Sequence, residues 1–346
     1  MRLLISGGGT GGHLSPALAV AQAFRAEEPE AEVLLAGRAG GPEEQLVPAA
    51  GLRLETVRMR GFDRDAPWKN LALPYLLPAA AARGVQIVDH FKPDVALGVG
   101  GYVMAPALAG CRLRGIPYVL QVSEAGGLAN RIFRPGAAAA CVTFPKDVGR
   151  FPTRHTVLTG YPLRSGFSLR TPRNPPETLL VMGGSQGARR MNLAVWGALD
   201  QLCERYREVI HLTGVQGEVE AARHARDRYR PISFSDDMPS LLAEADLVVC
   251  RAGVGTISEV TAVGLAAVLV PGTFGGGHQE RNADDLVEAG AAVKLRDPDL
   301  TPGSLIEVLA GLDAARLVSM ASASAALGRP AAAARILEVL REVALA

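Results

Sequence analysis

The stretch Ser6-Gly7-Gly8-Gly9-Thr10-Gly11-Gly12-His13 leaves the apolar run Leu3-Leu4-Ile5 and sets an imidazole directly after five glycines. Glycines let backbone N–H groups close on an anion, and a helix N-terminus behind them favours negative charge. Gly7-x-Gly9-x-x-Gly12 also satisfies the dinucleotide fingerprint, which expects an acid for a ribose at the end of the second strand. Here that strand ends Ala36-Gly37-Arg38, so a nucleotide with a 2′-phosphate, NADP, stays open as an alternative. A helix N-terminus disfavours protonated His13, and a neutral imidazole is what a general base needs.

Three further loops carry similar chemistry. Gly183-Gly184-Ser185-Gln186-Gly187 follows the apolar Thr178 to Met182 run and suits a diphosphate through Ser185 and nearby amides. Cys250 to Val260 brings Gly253, Gly255 and Thr256 ahead of a helix. Thr256 and Glu259 have capping-box spacing, with Thr256 as the N-cap; the alternative for Glu259 is a bidentate grip on ribose hydroxyls. Val270 to Ala283 ends its glycines in His278-Gln279, and a glutamine amide both donates and accepts, which suits sugar hydroxyls. The D-x-D pairs Asp63-Arg64-Asp65 and Asp297-Pro298-Asp299 lie in polar, turn-like stretches and read as solvated turn acids, so no metal site is expected.

These loops need strands to launch them. Short apolar runs recur at Leu3 to Ser6, Glu32 to Ala36, Asp94 to Leu97, Tyr118 to Val122 and Cys141 to Phe144, separated by helix-like stretches such as Ala17 to Glu28. The pattern restarts at Thr178 and continues through Val209 to Thr213, Ile232 to Phe234, Leu247 to Cys250, Ala267 to Val270 and Ala292 to Leu295. Alternating strands and helices with continuous apolar strands give α/β domains with parallel sheets. Two such series in 346 residues mean two tandem Rossmann-like domains, 1–163 and 164–330, with a proline-rich boundary near Arg164 to Glu177. The final helix, from Ala331, carries a stripe of Ile336, Leu337, Leu340 and Val343 and is expected to pack back on the first domain.

A net charge of +1 gives no global field for nucleic acid, and none is expected as a partner. Cys111, Cys141, Cys203 and Cys250 are widely spaced and read as reduced core thiols of a cytoplasmic protein. No signal peptide or membrane-spanning run appears. The segment Trp68 to Leu77, with Arg60, Arg64 and Arg83, mixes apolar and basic residues and suits an anionic membrane surface; the alternative is a buried amphipathic helix.

Gly8 to His13, Gly100-Gly101-Tyr102 with Pro106, Gly183 to Arg189, Phe234 with Asp236-Asp237-Met238, Cys250-Arg251 through Glu259, and His278-Gln279 with Asn282-Ala283 occur in one order along nearly the whole chain. Together they resemble glycosyltransferase family 28, of the GT-B fold, in which two parallel-sheet domains face each other across a cleft. The resemblance implies inverting transfer of GlcNAc from UDP-GlcNAc to the 4-hydroxyl of MurNAc on an undecaprenyl-diphosphate-linked MurNAc-pentapeptide, in peptidoglycan synthesis, with no metal or cofactor. It places the enzyme peripherally on the cytoplasmic face of the cell membrane, within reach of a cell-wall synthesis complex.

By the same resemblance the acceptor meets Gly8, Gly9, Thr10, Gly11, Gly12, Gly101, Tyr102, Gln121 and Ser123, with His13 as the base. Thr10, Gly11, Gly12, His13 and Ser123 also border the donor. Arg164, Gly184, Ser185 and Gln186 meet the diphosphate, helped by Gly255 and Thr256. Glu259 takes the ribose, the backbone near Ser235 and Met238 the uracil, and Gln279 the GlcNAc hydroxyls, with His278 also at the donor. Two departures stand out: the family's H-E-Q-N stretch is Leu120-Gln121-Val122-Ser123 here, and Tyr161 stands where asparagine is common. Loss of the acid at Gln121 keeps a non-catalytic UDP-sugar-binding or scaffold protein as one alternative. A UDP-GlcNAc 2-epimerase and a transferase onto diacylglycerol are others.

Overall fold

The computed structural model describes the chain apart from residues 10, 62–66, 124–126 and 274–276 and the side chains at 67, 69 and 72. The chain forms two compact units, Met1–Ser165 with Pro330–Ala346, and Gly166–Arg329.

The first unit is built on β1 (Arg2–Ser6), β2 (Glu32–Arg38), β3 (Arg53–Val57), β4 (Val95–Gly98), β5 (Tyr118–Val122), β6 (Ala139–Val142) and β7 (Thr156–Leu158). All pair in parallel, in the order β3-β2-β1-β4-β5-β6-β7. Alternation along a strand sends Leu3 and Ile5 to one face and Leu4 to the other. Leu3 and Ile5 pack with Leu14, Val20 and Phe24 of the helix Gly11–Glu27 and with Ile336, Leu337 and Leu340 of the helix Ala332–Leu345. Leu4 packs with Ile87, Phe91, Met104 and Leu108. Arg341 fastens the last helix further, donating to Glu27 at 2.7 Å and Glu28 at 2.9 Å.

The second unit holds β8 (Thr178–Met182), β9 (Glu208–Leu212), β10 (Tyr229–Ile232), β11 (Leu247–Cys250), β12 (Ala266–Leu269) and β13 (Ala292–Lys294). They form a parallel sheet ordered β10-β9-β8-β11-β12-β13. In both sheets the order reverses beside the first strand, between β1 and β4 and between β8 and β11. Such a reversal opens a crevice at the carboxyl ends of the strands, where open α/β sheets bind ligands. The four strands at the two reversals end in Gly7-Gly8-Gly9, Val99-Gly100-Gly101, Gly183-Gly184 and Ala252-Gly253.

Several elements differ from the sequence expectation. β3 forms from the polar stretch RLETV and β7 from only three residues, TVL, both as edge strands. β10 begins earlier than Ile232 and ends there. The first helix begins at Gly11 rather than Ala17, which puts His13 in its first turn.

His211, on β9, is fully buried against Trp196 and Tyr229, and burial pushes its pKa down to about 3. An unfolded histidine takes up its proton near pH 6.5, so the unfolded chain binds more protons below that point. Stability from this group is fully present above pH 6.5 and is lost as pH falls toward about 3. The slope reaches at most about 1.4 kcal/mol per pH unit. Urea unfolding of the second unit between pH 7 and pH 4.5 is expected to show this loss (pH values roughly bracketing the upper part of the window), and His211→Gln to flatten it. Parallel pH slopes in both proteins would contradict the assignment.

Candidate active site

In the first unit the two glycine loops at the reversal meet on His13. A Cβ on Gly100 would lie 2.9 Å from His13 Nδ1, and one on Gly101 3.2 Å from His13 Cδ2. The imidazole therefore lies close against two glycines whose φ angles, +100° and +73°, other residues rarely adopt. Nδ1 is buried in this contact. Thr10 lies outside the described residues.

Tyr102 follows these glycines, and its hydroxyl accepts from Arg38 Nη1 at 3.0 Å. Arg38 also donates to the Gly40 carbonyl at 3.3 Å. The arginine that kept NADP open is thus a brace between the end of β2 and Tyr102. Tyr161 donates to the Gly12 carbonyl at 2.7 Å and is buried, tying residue 161 to the turn that carries His13.

Glu43 was not singled out by sequence. Its buried Oε1 accepts from the Gly9 amide, and its side chain fills the room that Gly8, Gly37 and Gly41 leave. A Cβ on Gly8 or Gly41 would lie 1.9 or 2.0 Å from a Glu43 oxygen. The glycines of Gly37-Arg38-Ala39-Gly40-Gly41 are the available signal: they fit a bulky group threaded among backbones.

Gln121 is fully buried on β5, and its Oε1 accepts from the Ser123 hydroxyl at 2.9 Å. Ser123, itself buried, thus gives its proton to Gln121, whose Nε2 is buried without a partner. Arg164 is exposed at the end of the first unit.

In the second unit the loop after β8 is a tight turn closed by the Gly187 amide on the Gly184 carbonyl at 2.8 Å. Gly184, Ser185 and Gln186 are exposed. The following helix, Arg189–Gly197, has no side-chain cap, and neither has Val254–Val263 after β11. Uncapped first-turn amides at two neighbouring helix starts are what an anion would meet there. Thr256 is not the N-cap: the helix begins at Val254 with Gly253 as cap, which puts Gly255 and Thr256 inside the first turn and Glu259 in the second.

Asp237 caps the helix Met238–Glu244 through Ser240, and the Ser235 hydroxyl accepts from the Asp237 amide, so these contacts shape the turn around Ser235 and Met238. Gln279 Oε1 accepts from the Gly272 amide at 2.8 Å, which leaves its NH2 to donate outward. His278 Nδ1 accepts from Arg281 at 2.7 Å, so its Nε2 carries the proton of the neutral ring.

Asp297 is also corrected. It is buried and accepts from Arg251 at 2.6 Å, with Arg190 at 3.5 Å, and so braces the loop after β11. Asp63, Arg64 and Asp65 lie outside the described residues. Among the described residues no group of three or more His, Cys, Asp or Glu is placed to hold a metal ion. A groove of about 430 Å³, lined by Leu169, Arg173, Leu317 and Val318, lies beside Asp246 at the amino end of β11, away from the glycine loops.

Two parallel-sheet units with glycine loops at their reversals make the architecture of a GT-B glycosyltransferase, and known members of that class match the chain along its length. The glycosyltransferase family 28 N-terminal domain matches residues 3–140 and the C-terminal domain residues 178–336. The chain belongs to glycosyltransferase family 28. It is 40% identical to the UDP-N-acetylglucosamine–N-acetylmuramyl-(pentapeptide) pyrophosphoryl-undecaprenol N-acetylglucosamine transferase of Syntrophotalea carbinolica, over 99% of both chains. It is 38% identical to the protein of the same name from a Nocardioides species, over 100% of this chain and 99% of that one. A crystal structure of MurG from Acinetobacter baumannii superposes with a TM-score of 0.80 at 29% identity, covering 99% of both chains.

Proposed function

We propose that this family 28 enzyme transfers GlcNAc from UDP-GlcNAc to the 4-hydroxyl of MurNAc on the undecaprenyl-diphosphate acceptor, with inversion at the anomeric carbon. The observation that carries the reading is His13, seated on Gly100 and Gly101 at the reversal of the first sheet and in the first turn of the helix Gly11–Glu27. Full-length similarity to transferases named for this reaction supports it. His13 Nε2 takes the hydroxyl proton as the oxygen bonds to the anomeric carbon. The bond from that carbon to the diphosphate oxygen breaks, and UDP leaves. Amides of the exposed Gly184 to Gln186 turn and of Gly255 and Thr256 stabilise the charge that develops on the diphosphate. Glu259 serves the ribose, and Gln279 donates to a GlcNAc hydroxyl. Helix ends carry the charge, so no metal or cofactor is required.

The acceptor's lipid calls for a membrane surface, here the cytoplasmic face of the cell membrane, where other cell-wall enzymes would be neighbours. Trp68, Leu71 and Tyr75 are 68%, 77% and 83% exposed on the segment Pro67–Ala72 and the start of the helix Leu73–Phe91. That exposure supports a surface role for this segment over a buried one. Arg83 pairs with Glu55 at 2.5 Å and is committed within the fold, while Arg64 lies outside the described residues. No helix among the described residues is long and apolar enough to cross a membrane.

The test is transfer of labelled GlcNAc to a short-chain acceptor analogue and to the full-length lipid in vesicles, each with and without EDTA. Turnover unaffected by EDTA is expected with both. Leu71→Glu with Tyr75→Glu should lower turnover on vesicles about tenfold or more, the scale of losing two buried apolar anchors, and leave the soluble analogue unaffected. Formation of UDP-ManNAc without acceptor, or UDP binding without transfer, would overturn the reading.

A further inference from the structure

Behind the loop after β8 runs a chain of hydrogen bonds whose every proton is determined. Trp196 Nε1 donates to the Tyr229 hydroxyl at 2.9 Å. The Tyr229 oxygen is 3.0 Å from His211 Nδ1, and His211 Nε2 is 3.2 Å from Asn192 Oδ1. Asn192 Nδ2 donates to the Thr213 carbonyl at 2.8 Å. An indole only donates and a carbonyl only accepts, so both ends are fixed. The Asn192 amide must turn its NH2 to Thr213 and its oxygen to His211, whose Nε2 therefore carries a proton. Neutral His211 then has a bare Nδ1, which accepts the single proton of Tyr229. Burial holds the ring neutral at any ordinary pH, and no ionised side chain shares these four hydrogen bonds.

This chain ends on the backbone that supports the loop. A Cβ on Gly187 would lie 2.2 Å from the Thr213 oxygen, and one on Gly214 2.0 Å from the Gly187 nitrogen. The turn after β9 and the loop after β8 are thus in direct backbone contact. Asn192 bridges them, since its own amide bonds to Ala188 at the loop's exit at 2.9 Å while its side chain holds Thr213.

We propose that His211 and Tyr229 are positioning residues for the donor diphosphate: through Asn192 and Thr213 they set the Gly184 to Gly187 loop in the shape that meets it. The inference rests on the reading of that loop as the diphosphate site.

Isothermal titration of the intact protein with UDP and with uridine tests it. His211→Leu is expected to weaken UDP about tenfold and Tyr229→Phe about threefold, the scale of one or two lost hydrogen bonds, with uridine unchanged. His211→Gln, whose amide can replace the Nε2–H donor, should restore most of the UDP affinity. Equal weakening of UDP and uridine, or no weakening in Tyr229→Phe, overturns the inference. Gly184→Val tests the underlying reading separately: unchanged UDP affinity there removes the loop from the diphosphate site, whatever His211 does.

Discussion

His13→Ala is expected to lower transfer by about 10²–10⁴-fold, the range for loss of a positioned general base, while UDP affinity stays within about twofold. The split follows from where the groups sit. His13 belongs to the first unit, whereas the loops assigned to UDP belong to the second. The acceptor hydroxyl is a poor nucleophile until its proton has somewhere to go. In the first unit the imidazole projects from the first helical turn and is seated against Gly100 and Gly101. Gly100→Ala makes the same point without touching the histidine. Its Cβ would press on Nδ1 at 2.9 Å from a backbone at φ +100°, so the ring must move. An intermediate loss of turnover is expected, with the acceptor KM raised. Single-turnover transfer with saturating donor separates these effects. His13→Ala turning over within about tenfold of wild type, a factor too small for a lost base, would move the base elsewhere in the acceptor loops.

The loops were legible in the sequence because each combines three local signals: an apolar strand, glycines, and a helix start. Their convergence was not. Gly100 meeting His13 depends on β4 lying beside β1, and strand order is set by crossovers that leave no local mark. Glu43 was invisible for a related reason, since a carboxylate on a polar helix start looks solvated until Gly8, Gly37 and Gly41 are seen around it. Asp297 misled in the same way, its partner Arg251 lying on another loop. Thr256 failed on a finer point. Its spacing to Glu259 fits a capping box, but extended Gly253 starts the helix earlier. Gln121 shows the opposite limit: a motif locates the family position, but its full burial on β5 is set by the sheet around it.

Asp246→Ala is expected to cost the second unit about 3–5 kcal/mol, the range for breaking a buried charge pair. This carboxylate is 3% exposed and gathers the stretch that enters the second sheet. One oxygen accepts from Arg170 Nη2 at 2.6 Å and the Arg173 amide at 2.9 Å. The other accepts from the Glu177 amide at 3.1 Å and the Thr178 amide at 3.0 Å, with the Arg173 guanidinium at 3.5 Å. Alanine would orphan these donors together and leave the largely buried Arg170 without its counter-ion. Removing the cation instead is milder. Arg170→Met leaves the carboxylate with three backbone amides and should cost about 1–2 kcal/mol. Asp246→Asn keeps the shape but turns an NH2 toward donors, so it should fall near alanine rather than near wild type. Urea unfolding followed by Trp196 fluorescence reads all three. Asp246 precedes β11 while Gly253 follows it, so the damage lies at the opposite end of the strand from the assigned phosphate loop. The folded fraction of Asp246→Ala should therefore bind UDP as wild type does. A variant within about 1 kcal/mol of wild type, the worth of a single ordinary hydrogen bond, would mean the entering stretch is held by its apolar contacts instead.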